Sequence, residues 1–213
     1  MPASPRTSDT STAVDRVAAS VRAEILSGEL GADAPLREEA AAARYGASRH
    51  TVRAAFQRLV AERLVVAEAY RGVRVASFDR ETIIALQQLR AALEVEAVRI
   101  AGERFGRAWP DAELAPARDA LDRLAASGDW LEAERQHADF HRALVAASAS
   151  PRIIEAHAAL GSELLLFLLH VRPHYTLESL VDEHRALLDD VQSRGPAAIR
   201  EHLEHSTRLL VGE

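Results

Sequence analysis

The sequence predicts a mainly α chain of two modules, a helix-turn-helix with a small β-hairpin followed by an all-α helical bundle, and three observations predict it. Apolar residues recur at spacings of three and four over most of the 213 residues, the period of a helix with one buried face. Near the N-terminus two such faces are joined by a short turn containing Gly46. One segment breaks the pattern: LVVAEAYRGVRVASF, residues 64 to 78, is rich in β-branched residues and is interrupted by Arg71-Gly72, as expected of a two-stranded hairpin.

Composition narrows the setting. With 48% hydrophobic and 27% charged residues, the chain has enough apolar material for a core. The longest strongly apolar run, LLLFLL at 164 to 169, falls far short of the roughly 20 residues that cross a bilayer, so no membrane span is expected. The polar start MPASPRTSDTST has no apolar secretory segment and reads as a disordered tail over residues 1 to 11. The chain has no cysteine, which removes disulfides and thiolate metal sites and is compatible with a reducing cytoplasm, the expected location.

Charge separates the modules. Residues 1 to 78 hold 11 Arg against 9 acids and the remainder 15 against 23, leaving the halves at +2 and −8. The expected domains are therefore residues 12–78 and 79–213, the first tolerant of polyanions.

In the first module, Val14, Val17, Val21, Ile25 and Leu26 form one apolar face of a helix ending near Gly28. A second helix fits Arg37 to Tyr45, stopped by Gly46. Ser48 can cap a third, from Arg49 to about Arg63, with Val52, Phe56, Leu59 and Val60 inward. From Ala40 to Ala61 the chain has no acid but carries Arg44, Arg49, Arg53 and Arg58. Arg49 and Arg53 share the exposed face, with His50 and Thr51 beside them. Such arginines can fork onto guanine or phosphate in a major groove, so the third helix is expected to read duplex DNA, with the hairpin as a wing. Beyond Asp79, helices are expected at about 80 to 106, 112 to 126, 130 to 148, 152 to 171, 177 to 193 and 197 to 211. Asp129, Ser150, Thr176 and Pro196 mark four of their starts.

Eight of nine histidines follow residue 136. His137 and His141, spaced four apart beside Phe140 and Leu144, project from one helix face closely enough to share an ion. His184 and His202 sit in the apolar stripes of two later helices and can complete the set if those stripes meet. Buried singly and unpartnered, each imidazole would cost about 1 to 3 kcal/mol; a shared cation satisfies all four.

The stretch LREEAAAARYGASRHTVRAAFQRLVAERLV resembles the signature of the GntR family of bacterial transcription regulators, L-x-E-x-x-L-A-x-x-x-G-V-S-R-x-P-V-R-E-A-L. The helical remainder resembles the FadR-type ligand-binding domain called FCD. The resemblance implies a homodimer that binds operator DNA through Arg37, Ser48, Arg49, Thr51 and Arg53, with Arg71 and Gly72 at the wing tip. It also implies a small carboxylate effector held near a divalent metal. Thr51 replaces the usual proline and Ala54 the usual glutamate.

FCD domains usually bind their metal through one aspartate and three histidines, beginning D-x-x-F-H. In HADFH, His141 matches the histidine and His137 occupies the aspartate position, while His184 and His202 match the others; His205, one turn beyond His202, is the alternative for the last. Asp139 lies about 200° round the helix from His141 and does not replace the missing carboxylate. Four neutral imidazoles suit zinc, with nickel, copper and cobalt as alternatives, and leave the ion's charge uncompensated, which favours an additional anionic partner such as a bound carboxylate. Arg90 matches an arginine common in such domains and is expected either to face the effector or to pair with Glu94 at i+4. Two other readings are a helical metal-dependent hydrolase with a DNA-binding appendage, and an architectural DNA-binding protein with structural histidines. For the hydrolase, no G-x-S-x-G, H-E-x-x-H, P-loop or dinucleotide fingerprint is present.

Overall fold

The first helix, α1 (Ala13–Leu26), starts where the Thr12 hydroxyl accepts from the Asp15 N–H while the Asp15 carboxylate accepts from the Thr12 N–H, a reciprocal cap that satisfies two otherwise orphaned donors. The computed structural model describes residues 12–68, 72–106 and 108–212, so the expected tail lies outside the described residues. The chain divides between Ala76 and Ser77 into two units.

In the first unit, α1 packs on α3 (Arg49–Ala61), burying Val17, Val21 and Ile25 against Val52, Phe56 and Leu59. Between them lies α2 (Glu38–Tyr45), with Arg37 at its N-cap. Gly46 ends α2 at φ 59°, ψ 36°, a left-handed conformation that costs glycine nothing. Ser48 then caps α3, its hydroxyl accepting from the Thr51 N–H at 3.0 Å. Val60, expected inward, is exposed, because at about 100° per residue it lies at the edge of the stripe formed by Val52, Phe56 and Leu59.

The hairpin consists of β2 (Val65–Glu68) and β3 (Gly72–Val75), antiparallel with Val65 opposite Val75. A third strand, β1 (Pro35–Leu36), pairs with β3 to give the order β1-β3-β2. Two residues are too few to produce an alternating pattern, so β1 is invisible in the sequence.

The second unit consists of α4 (Arg80–Phe105), α5 (Asp111–Ala125), α6 (Trp130–Ala146), α7 (Pro151–Ala158), α8 (Gly161–Val171), a 3-10 turn at Arg172–His174, α9 (Leu177–Arg194) and α10 (Pro196–Val211). Asp129 and Thr176 cap α6 and α9 through their side chains. Leu114, Leu124, Phe140, Leu188, Ile199 and Leu203 belong to one core, where α5 lies on α6 and α10 on α4. A second core gathers Ile83, Leu86, Leu164, Phe167 and Val171 around α8, with the Phe78 ring edge-on to Phe167 at 5.9 Å.

The helix expected over 152 to 171 is two helices, broken at Ala159-Leu160 and bent by 54° just before Gly161. The bend gives α7 and α8 separate buried faces, so His157 of α7 and the leucines of α8 enter the interior from different directions. Apolar spacing runs on through the break, and periodicity alone does not show it. Among the described residues no single helix is long and apolar enough to cross a membrane.

Because, among the described residues and apart from Gly46 and its two chain neighbours, no atom lies within 4 Å of where a Gly46 β-carbon would sit, Gly46→Ala tests the backbone conformation alone. It is expected to destabilise the first unit by about 1–2 kcal/mol, read by chemical denaturation; an unchanged midpoint would contradict the left-handed turn.

Candidate nucleic-acid interface and metal centre

The acid-free run is not acid-free in space. Arg44 meets Glu29 at 2.6 Å and Glu24 at 3.0 Å, and Arg58 meets Asp15 and Glu62, so these two arginines tie α2 and α3 to their own unit. Arg49 and Arg53 differ: their side chains are 64% and 60% exposed on the outer face of α3. Each is tethered from α2, Arg53 by Glu38 at 2.8 and 2.7 Å and Arg49 by Glu39 at 3.1 Å. Exposed ion pairs of this kind contribute little stability, so the tethers hold the guanidinium groups in place while leaving them free to exchange onto another anion. Ser48 and Arg37 are exposed beside them and Thr51 is half-buried, its hydroxyl 2.8 Å from that of Ser48. Gly72 opens β3 at φ 77° and is exposed; Arg71 lies outside the described residues.

The second unit brings His137 and His141 of α6, His184 of α9 and His202 of α10 together, with one ring nitrogen from each lying within 4.8 Å of the others. His205 is exposed and outside this group, and Asp139 pairs with Arg142 instead of turning inward. The partners of the outer nitrogens fix the ring states. His141 Nδ1 donates to Glu94 at 2.8 Å, His184 Nδ1 to the Leu180 carbonyl at 2.7 Å, and His202 Nδ1 to Glu183 at 2.8 Å. A ring that donates from Nδ1 while neutral presents a bare lone pair at Nε2. Three such lone pairs therefore converge, and those of His141 and His184 are 3.3 Å apart. The fourth ring, His137, has its Nδ1 buried with no hydrogen-bond partner among the described residues. Converging lone pairs and an orphaned ring nitrogen repel one another unless a cation lies among them. The donor set therefore fits a transition metal, each outer partner orienting a ligand as in known histidine sites.

Glu94 and His157 complete the surroundings, and sequence reasoning gave Glu94 no role beyond an ion pair and did not single out His157. The Glu94 side chain is 2% exposed. It accepts from Arg90 Nε at 2.6 Å, from His141 Nδ1 at 2.8 Å and from His157 Nε2 at 3.1 Å. Burial by itself raises this carboxyl, but the Arg90 charge and the two imidazoles outweigh it and hold Glu94 well below the usual carboxylate range. Arg90, His137, His141 and His157 also border a cavity of 470 Å³ beside the histidines. Arg90 thus pairs with Glu94 at i+4, as one expectation had it, and also borders the cavity. Glu134 serves elsewhere: it binds Arg172 at 2.8 Å.

Burial pushes the His141 ring down to about 3 against the pull of Glu94, and it lowers His137 and His184 well below the ordinary imidazole value. Below about pH 6.5 the unfolded chain protonates these rings and the folded one does not, so protons favour unfolding. Chelator-treated protein is expected to lose stability between about pH 6.5 and 4.5, by up to about 1.4 kcal/mol per pH unit for each ring kept neutral. Denaturation midpoints measured across that range test this, and a flat profile would contradict neutral buried imidazoles.

Two family models match the chain. Residues 13–75 match the bacterial regulatory proteins of the gntR family, and residues 85–208 match the FCD domain. The chain is 29% identical over 182 residues to a probable D-xylose utilization operon transcriptional repressor of Paenarthrobacter nicotinovorans, covering 85% of this chain and 80% of that one. It is 30% identical over 192 residues to the HTH-type transcriptional repressor GlaR of Escherichia coli K12, covering 84% and 87%. Among solved structures, a putative GntR transcriptional regulator from Rhodococcus sp. RHA1 superposes with a TM-score of 0.75 at 29% identity, covering 93% of this chain and 97% of that one. These relatives are regulators, not hydrolases. With its winged helix-turn-helix followed by an FCD domain, the chain belongs to the GntR family of bacterial transcription regulators.

Proposed function

We propose that the chain is a metabolite-responsive regulator acting in the cytoplasm. It binds operator DNA as a homodimer through residues 12–78 and senses a small carboxylate beside a zinc ion in residues 79–213. The observation that carries the sensing half is the cluster of four imidazoles, one ring nitrogen of each within 4.8 Å of the others, in which three rings donate from Nδ1 and so keep a bare Nε2, and His137 Nδ1 is buried without a hydrogen-bond partner among the described residues. His137, His141, His184 and His202 hold the ion. Four imidazoles favour zinc over magnesium or calcium, with nickel or another transition metal as the alternative.

The charge balance differs from the sequence expectation. Glu94 and Glu183 each hydrogen-bond a ligand ring, so two carboxylates one bond removed stand in for the missing aspartate. Arg90 offsets one of them. A divalent ion then leaves a formal surplus of one positive charge beside the cavity, which suits a carboxylate. Arg90 receives it: its Nε is taken by Glu94, and among the described residues nothing accepts from its two terminal nitrogens.

On the DNA side, the exposure and exchangeable tethers of Arg49 and Arg53 support base or phosphate contact, with Ser48, Thr51 and Arg37 placing the backbone and the exposed Gly72 at the start of β3 on the wing. The regulatory coupling requires the effector to prefer one arrangement of the dimer.

Arg49→Ala or Arg53→Ala is expected to weaken operator binding by about 1–3 kcal/mol where the arginine reads a base, and less and independently of sequence where it meets phosphate. Gel shifts unchanged for both variants would remove the assigned reading helix. His141→Ala is expected to abolish stoichiometric zinc, measured by elemental analysis, and to erase the chelator-sensitive part of the melting temperature. Full metal content in that variant would refute the assigned centre.

A further inference from the structure

The cavity beside the histidines has two unlike faces. Its charged and imidazole groups come from α4, α6 and α7, whereas the wall supplied by α8 is Leu164, Leu165, Phe167 and Leu168, with one hydroxyl, Ser162, at its N-terminal end. The cationic groups are also unequal. Arg90 is 4% exposed and its terminal nitrogens donate to nothing among the described residues. The other two arginines at the cavity, Arg135 and Arg142, are 54% and 56% exposed and already face Glu132 and Asp139. Among the described residues the cavity therefore holds one buried fork for an anion; the two exposed arginines stay hydrated, so a second charge near them gains little.

We propose that the ligand is a monocarboxylate with a hydrocarbon or aromatic body, and that di- and tricarboxylates and polyhydroxy acids are disfavoured. The inference rests on the reading of the histidines and Arg90 as a metal-and-anion site and names the ligand class that this site takes. One carboxylate spans the Arg90 fork and the ion, where charge-assisted, bidentate contact is strongest. The rest of the molecule then lies along α8. Apolar surface is released from water there, at a volume of 470 Å³ that is ordinary for a small-molecule site. A second carboxylate or a row of hydroxyls laid on the same leucines loses its water and finds only Ser162. Each such unpaired group lowers affinity about tenfold.

The test is calorimetry of the zinc-loaded full-length protein with sodium acetate, hexanoate, benzoate, citrate and gluconate, zinc content being measured on the same samples. Hexanoate and benzoate are expected to bind about tenfold or more tighter than citrate and gluconate, and tighter than acetate, which lacks a body. Leu165→Asn, at a half-buried wall position, is expected to lower hexanoate affinity about tenfold more than acetate affinity, and Leu165→Ala to do so to a smaller extent. Citrate or gluconate binding as tightly as hexanoate, with that binding lost in Arg90→Ala, would overturn the ligand class and leave the metal-and-anion site standing. Absence of binding by every carboxylate to protein with full zinc content would overturn both the class and the anion site, and absence of zinc would remove the centre itself.

Discussion

The arrangement of the second unit depends on one buried carboxylate. Glu94 sits in the middle of α4 and joins three groups from three helices: Arg90 on its own helix, His141 on α6 and His157 on α7. A buried charge of this kind is tolerable only when fully partnered, because removing any partner leaves the remainder uncompensated in a low-dielectric interior. That requirement fixes the orientation of the His141 ring, and with it the direction of the nitrogen that faces His184 and His202. It also fixes which nitrogens of Arg90 remain free for the cavity. The orientation of the clustered imidazoles and that of the cavity-lining guanidinium are therefore two consequences of one hydrogen-bonded node.

The first unit follows the opposite logic. Its arginines pair with carboxylates at the surface, where exchange costs little, rather than in the interior, where it costs a great deal. Arg44 and Arg58 bind acids that brace the helices, and Arg49 and Arg53 are held by Glu38 and Glu39 in positions from which a polyanion can displace those acids. Net charge alone would not separate the two pairs. Their exposure and the location of their partners do.

In the proposed centre, His137 at the position of the family's aspartate changes the charge more than the shape. Four imidazoles from α6, α9 and α10 still converge, and the negative charge moves outward to Glu94 and Glu183, which act through ligand rings. In the proposed function an ion held this way keeps more of its own positive charge facing the cavity, where Arg90 adds to it, so the proposed anion contributes to balancing the site.

By itself the sequence determined the periodic parts of the molecule: the helix–glycine turn–helix with its Ser48 cap, the hairpin, the number of later helices to within one, and the two histidines of HADFH on a common face. These follow from local rules, because side-chain spacing, capping residues and left-handed glycine act within a few positions of the chain. The meeting of His184 and His202 with that face was legible only as a condition, since it depends on how three apolar stripes pack. Tertiary structure alone decided the break between α7 and α8, the pairing of β1 and the surface acids that tether Arg49 and Arg53. It also decided the role of Glu94, whose partners lie 47 and 63 residues away. No local pattern encodes a contact at that separation; it forms because the desolvation of a buried carboxylate has to be compensated by whichever donors the packed helices bring within reach.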